Sequence, residues 1–209
     1  MKFSVIAAIA ILSAGAAEAQ PPQKSAAECG ADNLGKYMNM SHKEFDQTLD
    51  QGWREIGDKE GCERAAADLI AKYRDEKLAQ EIAGLDWHEA QLRASAGDIP
   101  AALLLFRRNL EFRKKVAPQL GDYADVIYAE ATIAFLERDR PKLETKRAEL
   151  AALPKPDWFD AVAADFAKRF PDSRASMTWP SNLNVVDGFI ACFDKPYHEA
   201  YAFACQPNR

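Results

Sequence analysis

The chain predicts an all-α protein. Three observations lead there. Apolar residues recur at helical spacing along most of its length. No segment alternates apolar and polar residues long enough to make a strand. Glycines, and Asp–x–Pro or Asp–Arg–Pro stretches, punctuate the periodic segments where short turns between helices belong.

Residues 1–19 stand apart from this pattern. Lys2 precedes an apolar run, and Ala17-Glu18-Ala19 has the small–x–small form of a signal cleavage site. The run is too short and too alanine-rich to span a bilayer comfortably. A signal peptide cut after Ala19 is expected, hence a periplasmic or secreted protein with no membrane span after cleavage. Lys2 and Glu18 cancel, so the net charge stays at −5. A mildly acidic chain is poorly suited to nucleic acid or to an anionic membrane. About 190 remaining residues suffice for one substantial core, with or without a small appendage.

Four cysteines, Cys29, Cys62, Cys192 and Cys205, fall into two distant pairs. An even count in an exported chain points to two disulfides. Three connectivities are open to four cysteines. Local pairing, Cys29 with Cys62 and Cys192 with Cys205, needs the least coordination between distant segments and is the expectation.

The elements follow in order. Residues 20–40 begin with Gln, Pro and Ser and read as an extension that is mobile until Cys29 pins it. Ser41 and Glu44 have capping-box spacing, so a helix is expected over 41–56 with Phe45, Leu49, Trp53 and Ile56 inward. A second covers 63–73, with Ala66, Leu69, Ile70 and Tyr73 inward. A third covers 78–96 and ends at Gly97, a residue suited to the left-handed turn after a helix. Asp98 then caps a helix that carries Pro100 in its first turn and runs to about residue 115. Pro118 and Gly121 mark a loop. Helices over 123–137 and 139–152 follow, the latter repeating the aspartate-and-proline start with Asp139 and Pro141. A further helix begins near Asp157 and carries Trp158, Phe159, Val162, Phe166 and Phe170. In the tail, Ser181 or Asn182 caps a helix bearing Val185, Val186, Phe189 and Ile190. A short helix with Tyr197, Ala200, Tyr201 and Phe203 closes the chain.

The turns repeat. Gly61-Cys62-Glu63-Arg64-Ala65-Ala66 aligns with Gly97-Asp98-Ile99-Pro100-Ala101-Ala102, and Arg138-Asp139-Arg140-Pro141-Lys142-Leu143 aligns with both. Helical hairpins repeated at such intervals stack because none can bury its apolar face alone. The central unit, with Ala90, Gly97, Ala102 and Phe106 in the run AGDIPAALLLF, resembles a tetratricopeptide repeat. The first unit matches in part, with Ile70 in place of the aromatic. The third departs further, with Arg138 for glycine and Leu143 for alanine. The resemblance covers residues 41–153 and implies a right-handed solenoid of hairpins, with residues 154–209 as a disulfide-stapled helical cap over its open end. It also implies that first helices line a groove, which places Gln51, Glu55, Trp87, Gln91, Tyr128 and Thr132 as binding candidates. An aromatic beside amides and hydroxyls suits a peptide or a sugar-like ligand. The competing reading of Trp87 and Tyr128 is interhelix packing.

The chemistry-bearing motifs are sparse. Trp87-His88-Glu89 opens like a zinc-protease helix, but Leu92 stands where the second histidine of HExxH belongs. No metal and no cofactor are expected, His88 reads as partly exposed and Glu89 as solvated. The run Arg107, Arg108, Arg113, Lys114, Lys115 reads as a solvated face. No GxSxG, P-loop, GxGxxG or EF-hand pattern occurs. The expectation is a non-catalytic periplasmic or secreted protein that binds a protein or peptide partner. The alternative is a small cell-envelope hydrolase or ligand-binding protein using Asp194, Tyr197 and His198, with His198 as acid or base.

Overall fold

The computed structural model describes residues 22–77, 83–121, 123–169, 171 and 177–207. The expected signal peptide lies outside them, as do the start of the third expected helix and Phe170. Every regular element among the described residues is helical. Two short helices, α1 (Ala26–Cys29) and α2 (Leu34–Met38), precede a one-turn wide helix at Lys43–Gln47 and α3 (Arg54–Gly57). The long helices are α4 (Glu63–Lys77), α5 (Ala83–Ser95), α6 (Ile99–Leu120), α7 (Ala124–Leu136) and α8 (Arg140–Ala151). Then come α9 (Phe159–Arg169), α10 (Leu183–Ala191), α11 (Tyr197–Tyr201) and a last turn at Phe203–Cys205. Helices α4 to α8 pack each on the next as antiparallel hairpins, and α10 packs on α7 and α8.

The expected hairpin starts are present. Asp98 and Asp139 accept hydrogen bonds from Ala101 N and Lys142 N, and a proline occupies the first turn in both helices. The three aligned turns share one backbone feature, a residue in the left-handed region: Gly61, Gly97 and Arg138. An arginine there costs about 1–2 kcal/mol relative to glycine. Its side chain compensates by donating to Phe193 O and Lys195 O and lying over the Phe135 and Phe193 rings. The hairpin turn that departs most from the pattern is thus the one that anchors the tail.

Three expectations need correction. The helix expected over 41–56 begins with the Ser41–Glu44 capping box but breaks after Gln47. Gly52 explains the break: at φ +58° it lies so close to Phe45 that a Cβ would sit 1.9 Å from the Phe45 carbonyl oxygen. Leu49, expected inward, is exposed in the resulting turn. Helix α6 runs through Pro118 to Leu120 and ends at Gly121; a proline one turn from a helix end forfeits a single hydrogen bond. The N-terminal extension is tied down before Cys29, since Lys24 N donates to Gly61 O and Gln23 holds Glu63 and Arg64 N. In the tail, α11 packs on α5 and α10.

Both disulfides form as paired above, with S–S distances of 2.02 Å for Cys29–Cys62 and 1.99 Å for Cys192–Cys205. A full helix over 196–204 would have separated Cys192 from Cys205. Instead α11 stops at Tyr201, the backbone extends at Ala202, and the last turn brings the two Cα atoms to 5.9 Å.

The core is not single. One apolar cluster gathers Cys29, Tyr37, Phe45, Ile56, Cys62, Ile70 and Tyr73. A larger one gathers Phe106, Tyr128, Phe135, Leu143, Leu150, Phe189 and Tyr197. Helix α5 divides them, with Leu85 and Leu92 in the first and Trp87, Ala90 and Ala94 in the second. Residues seven apart share a helix face, so one helix serves two cores from opposite sides.

Candidate functional site

Helix α5 uses its remaining two faces for polar groups. The first carries Asp86, Glu89 and Arg93. Arg74 from α4 contacts both Asp86 (3.2 Å) and Glu89; Arg93 Nε donates to Glu89 at 2.7 Å and Arg93 Nη2 reaches Asp68 at 3.1 Å. Arg108 from α6 grips Asp86 through Nε and Nη2. Glu89 is therefore buried and paired, not solvated as expected. The basic run on α6 stays largely exposed, as expected, while three of its members also find partners: Arg108 holds Asp86, Arg107 holds Glu137, and Arg113 lies over the Trp87 ring at 4.3 Å. This seam joins α4, α5 and α6. Every charge in it has a counter-charge, which is what burial of ionic groups requires.

The second polar face carries His88 and Gln91, three residues apart on one side of α5. His88 lies tilted against the Trp53 ring, 5.0 Å between centroids, and its Nε2 faces Asp46 Oδ1 at 3.6 Å. Asp46 is fully buried and accepts from Trp53 Nε1 at 2.9 Å and from Gln47, while Arg54 donates to its carbonyl and stacks on Trp53 at 4.2 Å. Burial holds the His88 pKa below the ordinary histidine value. Arg54 and Arg113 push the same way, against Asp46 and a hydrogen bond with Gln91. The imidazole is neutral near pH 7, offering one donor and one acceptor.

Beyond Gln91 lie three tyrosines. Tyr128 from α7 packs 5.3 Å from Trp87 and shares a hydrogen bond with Tyr201 of α11. Tyr201 stacks on Tyr197, 5.6 Å between centroids. Burial first, and then neighbouring tyrosines, raise the phenol pKa of Tyr128 and Tyr197 well above the usual value, so both stay protonated. Tyr197 is 2% exposed, and its hydroxyl has no hydrogen-bond partner. The Gln91 side chain acts on this phenol against the burial, lowering its pKa.

The groove candidates are distributed as follows. Trp87, Gln91 and Tyr128 come together here. Trp87 and Tyr128 are buried, and their rings pack between helices. Thr132 is enclosed and donates to the Tyr128 carbonyl. Gln51 is exposed in the turn before α3, and Glu55 is held by Lys36. Gln91 is the one candidate both half-exposed and within the cluster. Sequence reasoning missed Asp46, Trp53, Arg54, His88, Tyr197 and Tyr201 as companions of Gln91. The i, i+3 spacing of His88 and Gln91 was the available signal; the rest arrive through tertiary packing.

Two other places matter. Asp194 is exposed, and the acidic side chain within 4 Å of His198 is Glu199, at 3.9 Å. Among the described residues no group of three or more His, Cys, Asp or Glu side chains is placed to hold a metal ion. Helix α9 belongs to neither apolar cluster. Phe159 is buried against Trp179, at 5.2 Å, while Val162 on α9 is 41% exposed and Trp158, just before the helix and edge-on to Trp179, is 39% exposed. Trp179 in turn donates to Leu153 O, tethering α9 to the end of α8. No family model, no curated protein and no solved structure matches this chain.

Proposed function

We propose that this chain is an exported, non-catalytic helical-hairpin protein of tetratricopeptide-like build that binds a protein or peptide partner. The observation that carries the reading is α9. An amphipathic helix outside both cores, with Val162 exposed on it and Trp158 partly exposed just before it, is a surface that a second polypeptide would bury. Its charges are balanced and locally paired, Lys155 with Asp160 and Arg169 with Asp165, which suits a protein partner better than an anionic lipid surface. The recurrence of a left-handed residue at the three aligned turns supports the repeat reading. The signal-like start and two disulfides support export to an oxidising compartment. The hydrolase alternative at Asp194 and His198 gains nothing from the geometry, since those two side chains form no pair.

Photo-crosslinking in the native host tests this. A crosslinking residue at Val162 is expected to capture one reproducible polypeptide, and a residue at Gln51 to capture it weakly or not at all. Equal, scattered labelling from both positions would reject α9 as the binding surface.

A further inference from the structure

A cleft of about 400 Å³ lies between the N-terminal arm and α4, and the protein-binding reading does not use it. That volume falls in the range of small-ligand sites. Arg64, Ala65, Asp68, Leu69 and Lys72 form its α4 wall, a spacing that keeps them on one helix face. Lys24, Ala26 and Leu34 stand on the facing side. The arm is fixed there: Lys24 N donates to Gly61 O, Gln23 holds Glu63 and Arg64 N, and Cys29 is bonded to Cys62. The lining is mostly apolar. Ala65 and Leu69 are buried at the bottom, with the exposed Ala26 and the half-exposed Leu34 above them.

The polar groups near the cleft are largely committed elsewhere. Ser25 Oγ bonds to Glu28, and Gln23 is held as described. Asp68 has Arg93 at 3.1 Å, and Lys72 has Glu76 at 3.6 Å. That leaves Lys24 and Arg64 against Asp32, a net positive rim. Lys24 Nζ donates to the Glu60 carbonyl, which does not cancel its charge. The Arg64 side chain is exposed and meets no carboxylate among the described residues. Both cations stand at one end of the cleft, since Lys24 bonds to Gly61 while its neighbour Gln23 bonds to Arg64 N. A ligand here meets an apolar trough with a cationic end, and few groups able to read a peptide backbone or a sugar. Such a trough selects an anion with an apolar tail.

We propose that this cleft binds a free alkyl carboxylate of medium chain length. Its carboxylate pairs with Arg64 and Lys24, and its chain lies along Ala26, Leu34, Ala65 and Leu69. This site is separate from α9 and stands or falls independently of the partner proposed there.

The test is titration of the intact, disulfide-bonded protein with octanoate below its micellar concentration, followed by the methyl NMR signals of Ala26, Leu34, Ala65 and Leu69. Saturable shifts of these signals are expected. Hexanoate and butanoate should bind progressively more weakly, by about two- to fourfold for each methylene removed. Octanamide keeps the chain and loses the charge, and should bind about tenfold more weakly than octanoate. Arg64→Gln should weaken octanoate about tenfold and leave octanamide unchanged. It should also keep Tm, because the exposed side chain pairs with no carboxylate among the described residues. Ala26→Leu fills the cleft from an exposed position and should weaken both ligands. Flotation with phosphatidylglycerol vesicles distinguishes a free acid from a membrane lipid. No co-flotation is expected; vesicle binding that Arg64→Gln abolishes would make the ligand a membrane lipid and overturn the free acid. Absence of any saturable methyl shift overturns the proposal. So do equal affinities for octanoate and octanamide, or octanoate binding that Arg64→Gln leaves unchanged.

Discussion

The two halves of this molecule are each closed by a disulfide, and they use it differently. Cys29 and Cys62 are themselves part of the first core, at 0% and 1% exposure, and their bond pins an N-terminal arm that has few apolar residues of its own. Cys192 and Cys205 are half-exposed at the rim of the second core, and their bond clamps a short tail whose Tyr197 and Ala200 are already buried. The first half needs its disulfide to complete a core. The second half has a core without it and uses the bond to fix the position of α11.

Removing the bonds should expose that difference. The cysteines of the first are 33 residues apart and those of the second 13, so loop entropy alone gives about 4 against about 3 kcal/mol. Cavity formation adds to the first only, because only its sulfurs are enclosed. The double variant Cys29→Ala/Cys62→Ala is expected to lose the most stability in urea or thermal melts, and Cys192→Ala/Cys205→Ala clearly less. Under mild thiol, alkylation and mass spectrometry should find Cys192 and Cys205 modified first. Equal costs, or prior opening of Cys29–Cys62, would break the comparison.

The seam on α5 sharpens it, since it lies where the two halves meet. Glu89→Ala leaves Arg74 and Arg93 facing each other in a largely buried setting and should cost about 3 kcal/mol. Both halves should lose stability together; a loss confined to one, seen by amide exchange, would show that α5 does not couple them. A smaller effect is expected from backbone strain. Gly52→Ala drives a Cβ into the Phe45 carbonyl and should cost about 2 kcal/mol or more. Gly121→Ala shares the positive φ but meets nothing within 4 Å, and should cost about 1 kcal/mol. Equal Tm shifts for the two glycines would refute the steric account.

What the sequence displayed and what it hid follow from the range of the forces involved. Caps at Ser41, Asp98 and Asp139, the glycine after α5 and the local cysteine pairing are set within a few residues, and each was legible. The break at Gly52 was not, because the clash that makes glycine necessary comes from folding back onto Phe45. Glu89 looked solvated because its partner Arg74 sits on another helix. The candidate site was half legible: His88 and Gln91 share a side of α5 by their spacing, but Asp46, Trp53 and the tail tyrosines reach it only through packing. Trp87 and Tyr128 pack between helices, as their competing reading had it, and Thr132 is enclosed with them.

The last effect lies in the candidate site and is read by pH. His88 is the histidine whose folded pKa is held down, by burial first and then by Arg54 and Arg113, with Asp46 and Gln91 opposing. Unfolded, it returns to about 6.5. Above that value both states are neutral at this residue and its contribution to stability is whole. As pH falls below it the unfolded chain takes up a proton that the folded protein resists, so stability drops until the folded value is passed. One proton gives a slope of at most about 1.4 kcal/mol per pH unit. His88→Gln should flatten the fall in Tm just below pH 6.5, and because α5 couples the halves, amide exchange should report the flattening in α10 as well as in α5 and around Trp53. A pH profile that the substitution leaves unchanged would mean that His88 titrates as freely in the folded protein as in the unfolded chain, and that the cluster is wetter than its packing implies.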